Sequence, residues 1–157
     1  MSASPSHPLE LRPASENDVP LLLFFIRKLA EYERLPSEVT ATEELLRENF
    51  FGQRRYAEAV FAYADGAPVG FAIFFHNFST YAGRPGIYLE DLFVDPELRG
   101  HGIGRALLRY LEDLAVERGC AHVQWAVLDW NERAIGFYRR LGAVALDDWT
   151  LYRLKIR

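Results

Sequence analysis

Val94-Asp95-Pro96-Glu97-Leu98-Arg99-Gly100-His101-Gly102-Ile103-Gly104-Arg105 is the stretch on which the fold turns. Upstream, Ile87 to Val94 is β-rich, with Tyr88-Leu89-Glu90-Asp91-Leu92-Phe93-Val94 at its heart, and Asp95-Pro96 stops it. Downstream, Ile103, Leu107, Tyr110, Leu111 and Leu114 recur at helical spacing, so the segment from Arg99 to Arg118 reads as an amphipathic helix closed by Gly119. A strand therefore enters a glycine-rich turn and a helix leaves it. Gly100, Gly102 and Gly104 let a ligand approach the backbone. The helix N-terminus aims free N–H groups and the positive end of its dipole at the same point. With Arg99 and Arg105 flanking, the turn is an anion seat, suited to a pyrophosphate; the bland alternative is glycines that merely allow tight helix–strand packing. A P-loop is excluded because no Gly-Lys-Ser/Thr follows. The dinucleotide fingerprint fails as well, since its sixth position falls on Arg105 or Leu107.

Outward from this turn, the pattern alternates strands and helices. Leu9 to Arg12 reads as a first strand ended by Pro13, followed by a helix to about Arg34 with Ser15, Asn17 and Asp18 competing as N-caps. Thr40 or Thr42 caps a second helix running through Phe51. Ala57 to Ala64 and Pro68 to Phe75 form a hairpin about Asp65-Gly66. Asn77 to Gly86 reads as a loop. Beyond the glycine turn, His122 to Leu128 is a strand and Asn131 caps a short helix reaching Leu141. Ala143 to Leu146 and Trp149 to Leu154 close the chain as a β pair. The order β-α-α-β-β-β-α-β-α-β-β predicts an α/β fold with a mixed sheet of about seven strands and about four helices.

Bulk properties narrow the function. The chain has 157 residues, half of them hydrophobic and 14% aromatic, which fits one domain over 9–157 behind a loose Ser/Pro-rich tail at 1–8. Net charge is −4, which disfavours nucleic acid as a partner. The longest apolar run, Val19 to Ile26, is far short of the ~20 residues of a membrane span. A lone cysteine, Cys120, forms no internal disulfide and suits a cytoplasmic location. His76 and His122 have no metal-site spacing, so no metal is expected.

The Arg-Gly-x-Gly-Ile-Gly turn between strand and helix resembles the acetyl-coenzyme A signature of the GNAT N-acetyltransferases, and the likeness extends over essentially the whole chain. Tyr88 to Val94, the run Trp130 to Gly142, and Leu29-Ala30-Glu31-Tyr32-Glu33 are similar to the diamine (spermidine/spermine) and thialysine acetyltransferase branch. The resemblance implies a sheet splayed where acetyl-CoA lies, between Tyr88–Val94 and His122–Leu128. Leu92, Phe93 and Val94 would offer backbone groups to its pantetheine arm. Arg99, Gly100, His101, Gly102, Ile103, Gly104 and Arg105 would hold the pyrophosphate, with Asn131 and Ala134 as further cofactor contacts. It also implies a homodimer.

The chemistry needs a base. A lysine-type amine is neutral in about one molecule in 2,000–3,000 at pH 7, worth roughly 4.6 kcal/mol. Glu90 matches the family's general base and Tyr138 its general acid, a phenol that keeps its proton for the departing thiolate. Glu33, Tyr32, Tyr81 and Asp91 are candidate contacts to a small primary amine. Diamine enzymes carry an aspartate and a tryptophan in the loop at Asn77 to Gly86; both are absent, and Arg84 there repels a polycation. The acceptor therefore stays open between a diamine, a lysine-like amino acid and another amine, a peptide amine included. A non-catalytic acyl-CoA sensor of the same fold is the alternative function.

Overall fold

A computed structural model of the chain describes residues 8–157, so most of the expected tail at 1–8 lies outside the described residues. Two compact units are present, one through Ala126 and one from Val127 to Arg157.

The first unit is a five-stranded sheet in the order β1 (Leu9–Pro13), β2 (Glu58–Ala64), β3 (Ala67–Ser79), β4 (Arg84–Val94) and β5 (Val123–Trp125). The first four strands are antiparallel neighbours, and β5 runs parallel to β4. The parallel step is made by α3 (Ile103–Glu117), the crossover helix of a βαβ unit. Helices α1 (Val19–Tyr32) and α2 (Glu43–Phe51) precede the β2–β3 hairpin. That hairpin turns on Asp65 and Gly66, both with positive φ (55° and 75°), the geometry an Asp-Gly pair adopts readily.

The two faces of the sheet are sorted by register. Phe61 pairs with Phe71, which pairs with Phe93, and all three point to the side covered by α1 and α2. Phe25 of α1 lies among them, its ring stacked on Phe71 with centroids 5.3 Å apart. The opposite face presents Val60, Ala72, Phe74 and Leu89 to the apolar stripe of α3, where Leu107 and Leu111 are fully buried. Burial of each such side chain contributes about 1.5–3 kcal/mol. At the far end of α3, Arg118 forks onto Glu58 (2.7 and 2.8 Å) and donates to His76 Nε2 (2.9 Å). His76 Nδ1 lies 3.1 Å from Gly86 O and so carries the ring proton.

Several expectations need correcting. The segment Asn77 to Gly86 is not a loop: the ladder continues through His76–Ile87, Asn77–Gly86, Phe78–Pro85 and Ser79–Arg84, leaving only a tight turn stabilised by Gly83 N–H to Ser79 O (2.8 Å). Backbone pairing outweighs the turn-forming composition there. Among the described residues the sheet has five strands rather than about seven. Ala143–Leu146 and Trp149–Leu154 form no ladder among the described residues, and Leu151, Tyr152 and Leu154 are 81%, 90% and 92% exposed. β-propensity alone does not make a strand where no neighbour supplies hydrogen bonds. The strand expected over His122–Leu128 shortens to Val123–Trp125, and the glycine turn keeps Arg99 outside α3.

The second unit holds one helix, α4 (Glu132–Arg140), with Asn131 as its N-cap: Asn131 Oδ1 accepts from Ala134 N–H at 3.3 Å.

Candidate functional site

The site begins with an irregularity in β4. Ile73 pairs with Asp91 but the next residue of β3, Phe74, pairs with Leu89, so Glu90 is an extra residue in a β-bulge. Side chains opposite one another across a ladder share a face. Asp91 therefore faces the α1 side with Ile73, while Leu89 faces the α3 side with Phe74. Two residues that strict alternation would place together end on opposite faces. Sequence reading missed the bulge, although one signal was present: two consecutive acids between two leucines cannot both leave the core by simple alternation.

The bulge also coincides with the end of the β4–β5 ladder. Pairing with β5 covers only Ile87, Tyr88 and Leu89, ending one residue before Glu90. A bulge bends and twists the strand that carries it, and from Glu90 to Val94 the edge of β4 away from β3 has no strand partner among the described residues. Asp95 N–H donates to Val69 O at 2.8 Å, so the hydrogen-bonded positions toward β3 fall on Asp95 and Phe93. Leu92 and Val94 thus turn their N–H and C=O groups toward the open edge.

The bulge gathers carboxylates. Asp91 is half-buried, and burial first, then the negative charges of Glu90 and Glu33, push its carboxyl up to about 7. Glu33 is half-buried just past the end of α1, and its carboxyl is raised by burial and by Glu90. Glu90 itself is exposed. These three groups from two elements act on one another electrostatically, which makes a negative receptacle beside the open strand edge.

Past Val94 a single 3-10 turn (Pro96–Leu98), capped by Asp95 through Glu97 N–H (3.0 Å), leads into the glycines. Gly100 and Gly102 have φ of +86° and +80°, and space around both is open, so conformation rather than crowding calls for glycine. Gly102 is the N-cap of α3 and supplies no side-chain cap, whereas α2 and α4 are capped by Thr42 and Asn131. The helical ladder opens with Ala106 N–H to Gly102 O (3.0 Å), so the N–H groups of Ile103, Gly104 and Arg105 precede it. His101 and Arg105 are exposed around this turn. Arg99 instead reaches sideways: its guanidinium carbon lies 4.4 Å from the centre of the Tyr32 ring.

The structure thus gathers Glu33, Glu90 and Asp91 at the bulge, and joins Tyr32 to Arg99 at the phosphate turn. It does not bring Tyr81 to the carboxylates: Tyr81 is 98% exposed at the tip of the β3–β4 hairpin, and from Arg84 to Glu90 β4 extends about 20 Å. Asn131, Ala134 and Tyr138 belong to the second unit, where the Phe137 and Tyr138 rings lie 5.6 Å apart and Tyr138 O accepts from Leu141 and Ala143 N–H (3.2 and 3.1 Å). Among the described residues no group of three His, Cys, Asp or Glu could hold a metal ion, and no helix is long and apolar enough to cross a membrane. An open strand edge leading to an uncapped helix N-terminus fits a carrier with amide groups along its arm and a pyrophosphate at its end, as acetyl-CoA has.

Comparison with known proteins agrees with this geometry. Residues 25–143 match the Acetyltransferase (GNAT) family. A thialysine N-ε-acetyltransferase of Bos taurus is 38% identical over 156 residues, covering 92% of this chain and 91% of its own length. An L-ornithine N5-acetyltransferase of Arabidopsis thaliana is 27% identical, covering 92% and 83%. Among solved structures, an integron cassette protein from the mobile metagenome of V. cholerae superposes with a TM-score of 0.79 at 24% identity over 94% of this chain and 92% of its own. The chain belongs to the GNAT acetyltransferase family, whose members take acetyl-CoA as cosubstrate, and it is an amine N-acetyltransferase.

Proposed function

We propose that this enzyme acetylates the side-chain amine of a small lysine-like amino acid, thialysine or a near relative, by direct attack of the amine. The carrying observation is the cluster of Glu33, Glu90 and Asp91 at the bulge, beside the edge where β4 loses its partner. Acetyl-CoA supplies a carbonyl already activated as a thioester. Leu92 and Val94 bind its arm through backbone groups, and Phe93 packs in the core beneath them. Gly100, His101, Gly102, Ile103, Gly104 and Arg105 hold its pyrophosphate at the α3 N-terminus; Asn131 and Ala134 are assigned to the cofactor by the family resemblance alone.

Asp91 and Glu33 draw the ammonium group into the receptacle. Glu90, the exposed member, removes its proton, directly or through water. Tyr138 holds a phenolic proton for the departing sulfur. Three carboxylates from two segments suit a compact cation. The names of the thialysine and ornithine relatives support the same class. We read the chain as a cytoplasmic homodimer; in support, its last residues alternate apolar Tyr152, Leu154 and Ile156 with basic Arg153, Lys155 and Arg157, a pattern suited to a strand with one covered face.

The test is thiol release from acetyl-CoA over a panel of thialysine, lysine, ornithine, spermidine, an aminoglycoside and a peptide with a free N-terminus. Release is expected to be fastest with the amino acids. Tyr138→Phe should keep coenzyme A affinity and lower turnover at least tenfold; unchanged turnover removes Tyr138 from the reaction. Release with spermidine, the aminoglycoside or the peptide but not with the amino acids would remove the lysine-like class as acceptor.

A further inference from the structure

Arg99 belongs to the cofactor turn by position, yet its guanidinium lies over the Tyr32 ring at 4.4 Å. Tyr32 is the last residue of α1 and immediately precedes Glu33. We propose that the Arg99–Tyr32 stack is a positioning device that holds the end of α1, and with it Glu33, against the bulge carboxylates, so that the cofactor turn and the amine receptacle are mechanically joined. This rests on the reading of Glu33 as an amine contact.

The local structure gives the stack something rigid to hold. After Tyr32 the chain closes with Arg34 N–H to Glu31 O (3.1 Å) and Leu35 N–H to Ala30 O (2.8 Å), the two bonds of a Schellman end. Its left-handed position is filled by Arg34 (φ 64°) instead of glycine, so the turn carries backbone strain that neighbouring contacts must offset. No basic residue lies in the last turn of α1, so Arg99 brings a cation from another segment to the negative end of that helix. Both side chains are half-buried, which strengthens a cation–π contact relative to full exposure. A planar guanidinium stacks on a ring where an ammonium does not, so lysine is no substitute. One peptide bond joins Arg99 to Gly100, and one joins Tyr32 to Glu33. A pyrophosphate that draws on Arg99 therefore acts on the receptacle, and by linkage the amine acts on the turn.

Steady-state kinetics on Tyr32→Leu, Arg99→Lys and the double variant test this, together with amide exchange over residues 29–35 with and without coenzyme A. At saturating acetyl-CoA each single variant should raise the amine KM about three- to tenfold, a larger change than in kcat, the range expected for loss of one such contact. The double variant should be no worse than the weaker single, and Tyr32→Phe, which keeps the ring face, should restore most of the loss. Coenzyme A should change exchange over residues 29–35 in the parent protein and not in Tyr32→Leu. An unchanged amine KM in Tyr32→Leu, or multiplied effects in the double variant, overturns the proposal. Should the parent protein turn over no amine, the function proposed above fails instead, and the exchange experiment alone decides whether turn and helix end are joined.

Discussion

Asp91 lies directly across the β3–β4 ladder from Ile73, a carboxylate opposite a side chain that is only 5% exposed. That placement follows from the bulge at Glu90 and sets the ionisation of the site. Because burial and two neighbouring carboxylates hold Asp91 at about 7, against an ordinary 3.8, the folded chain keeps a proton that the unfolded chain has released. The stability Asp91 allows is full below about pH 4, declines as pH rises through about 7, and is lost above it. Asp91→Asn removes the penalty. Denaturant unfolding at pH 8 should find the variant more stable than the parent by about 2–4 kcal/mol, and the two should converge near pH 4. Parallel curves at both pH values would show that Asp91 is not desolvated.

The same ionisation should appear in turnover. If ionised Asp91 receives the ammonium group, kcat/KM for the amine rises with pH through about 7, separately from any later rise as the amine itself loses its proton. Glu33 is one of the charges that raise Asp91. Glu33→Gln should move the acid limb to lower pH while raising the amine KM, and Asp91→Asn should abolish the limb. A limb indifferent to both changes would separate the carboxylates from amine binding.

Gly86 guards the geometry where β3, β4 and β5 meet. A methyl group there would stand 2.5 Å from both Asn77 Oδ1 and His122 Nε2. Both atoms are buried and have no hydrogen-bonding partner among the described residues, and Ile87 N–H to His122 O (2.9 Å) begins the β4–β5 ladder beside them. Gly86→Ala should lower stability by about 1–3 kcal/mol through overpacking, measured by thermal melting. Ala at Gly66, where no atom lies within 4 Å, would meet only the strain of its positive φ.

Legibility in the sequence followed the range of the interaction. Features decided within a few residues were readable: the Asp65-Gly66 turn, the Asn131 cap, a threonine cap on α2 (Thr42 of the two candidates), the α3 stripe and the glycine turn. Features decided by pairing across the sheet were not. Asn77 to Gly86 has a loop's composition but continues the ladder, and Trp149 to Leu154 has a strand's composition but finds no neighbour. In the site, Glu33, Glu90 and Asp91 were identifiable as residues, whereas their convergence depends on a one-residue slip between Ile73–Asp91 and Phe74–Leu89. The Arg99–Tyr32 stack joins segments 67 residues apart, and no local pattern announces it.

Coenzyme A titrated calorimetrically into the parent protein and into Gly102→Ala tests most directly whether the open β4 edge and the α3 N-terminus form the cofactor seat. Gly102 holds φ at +80° with open space around it, so alanine disturbs the backbone of the turn without a clash elsewhere. Saturable binding to the parent and at least about tenfold weaker binding to the variant, at similar melting temperatures, is the expected result. No heat from the parent, or equal affinity in both, would contradict the account.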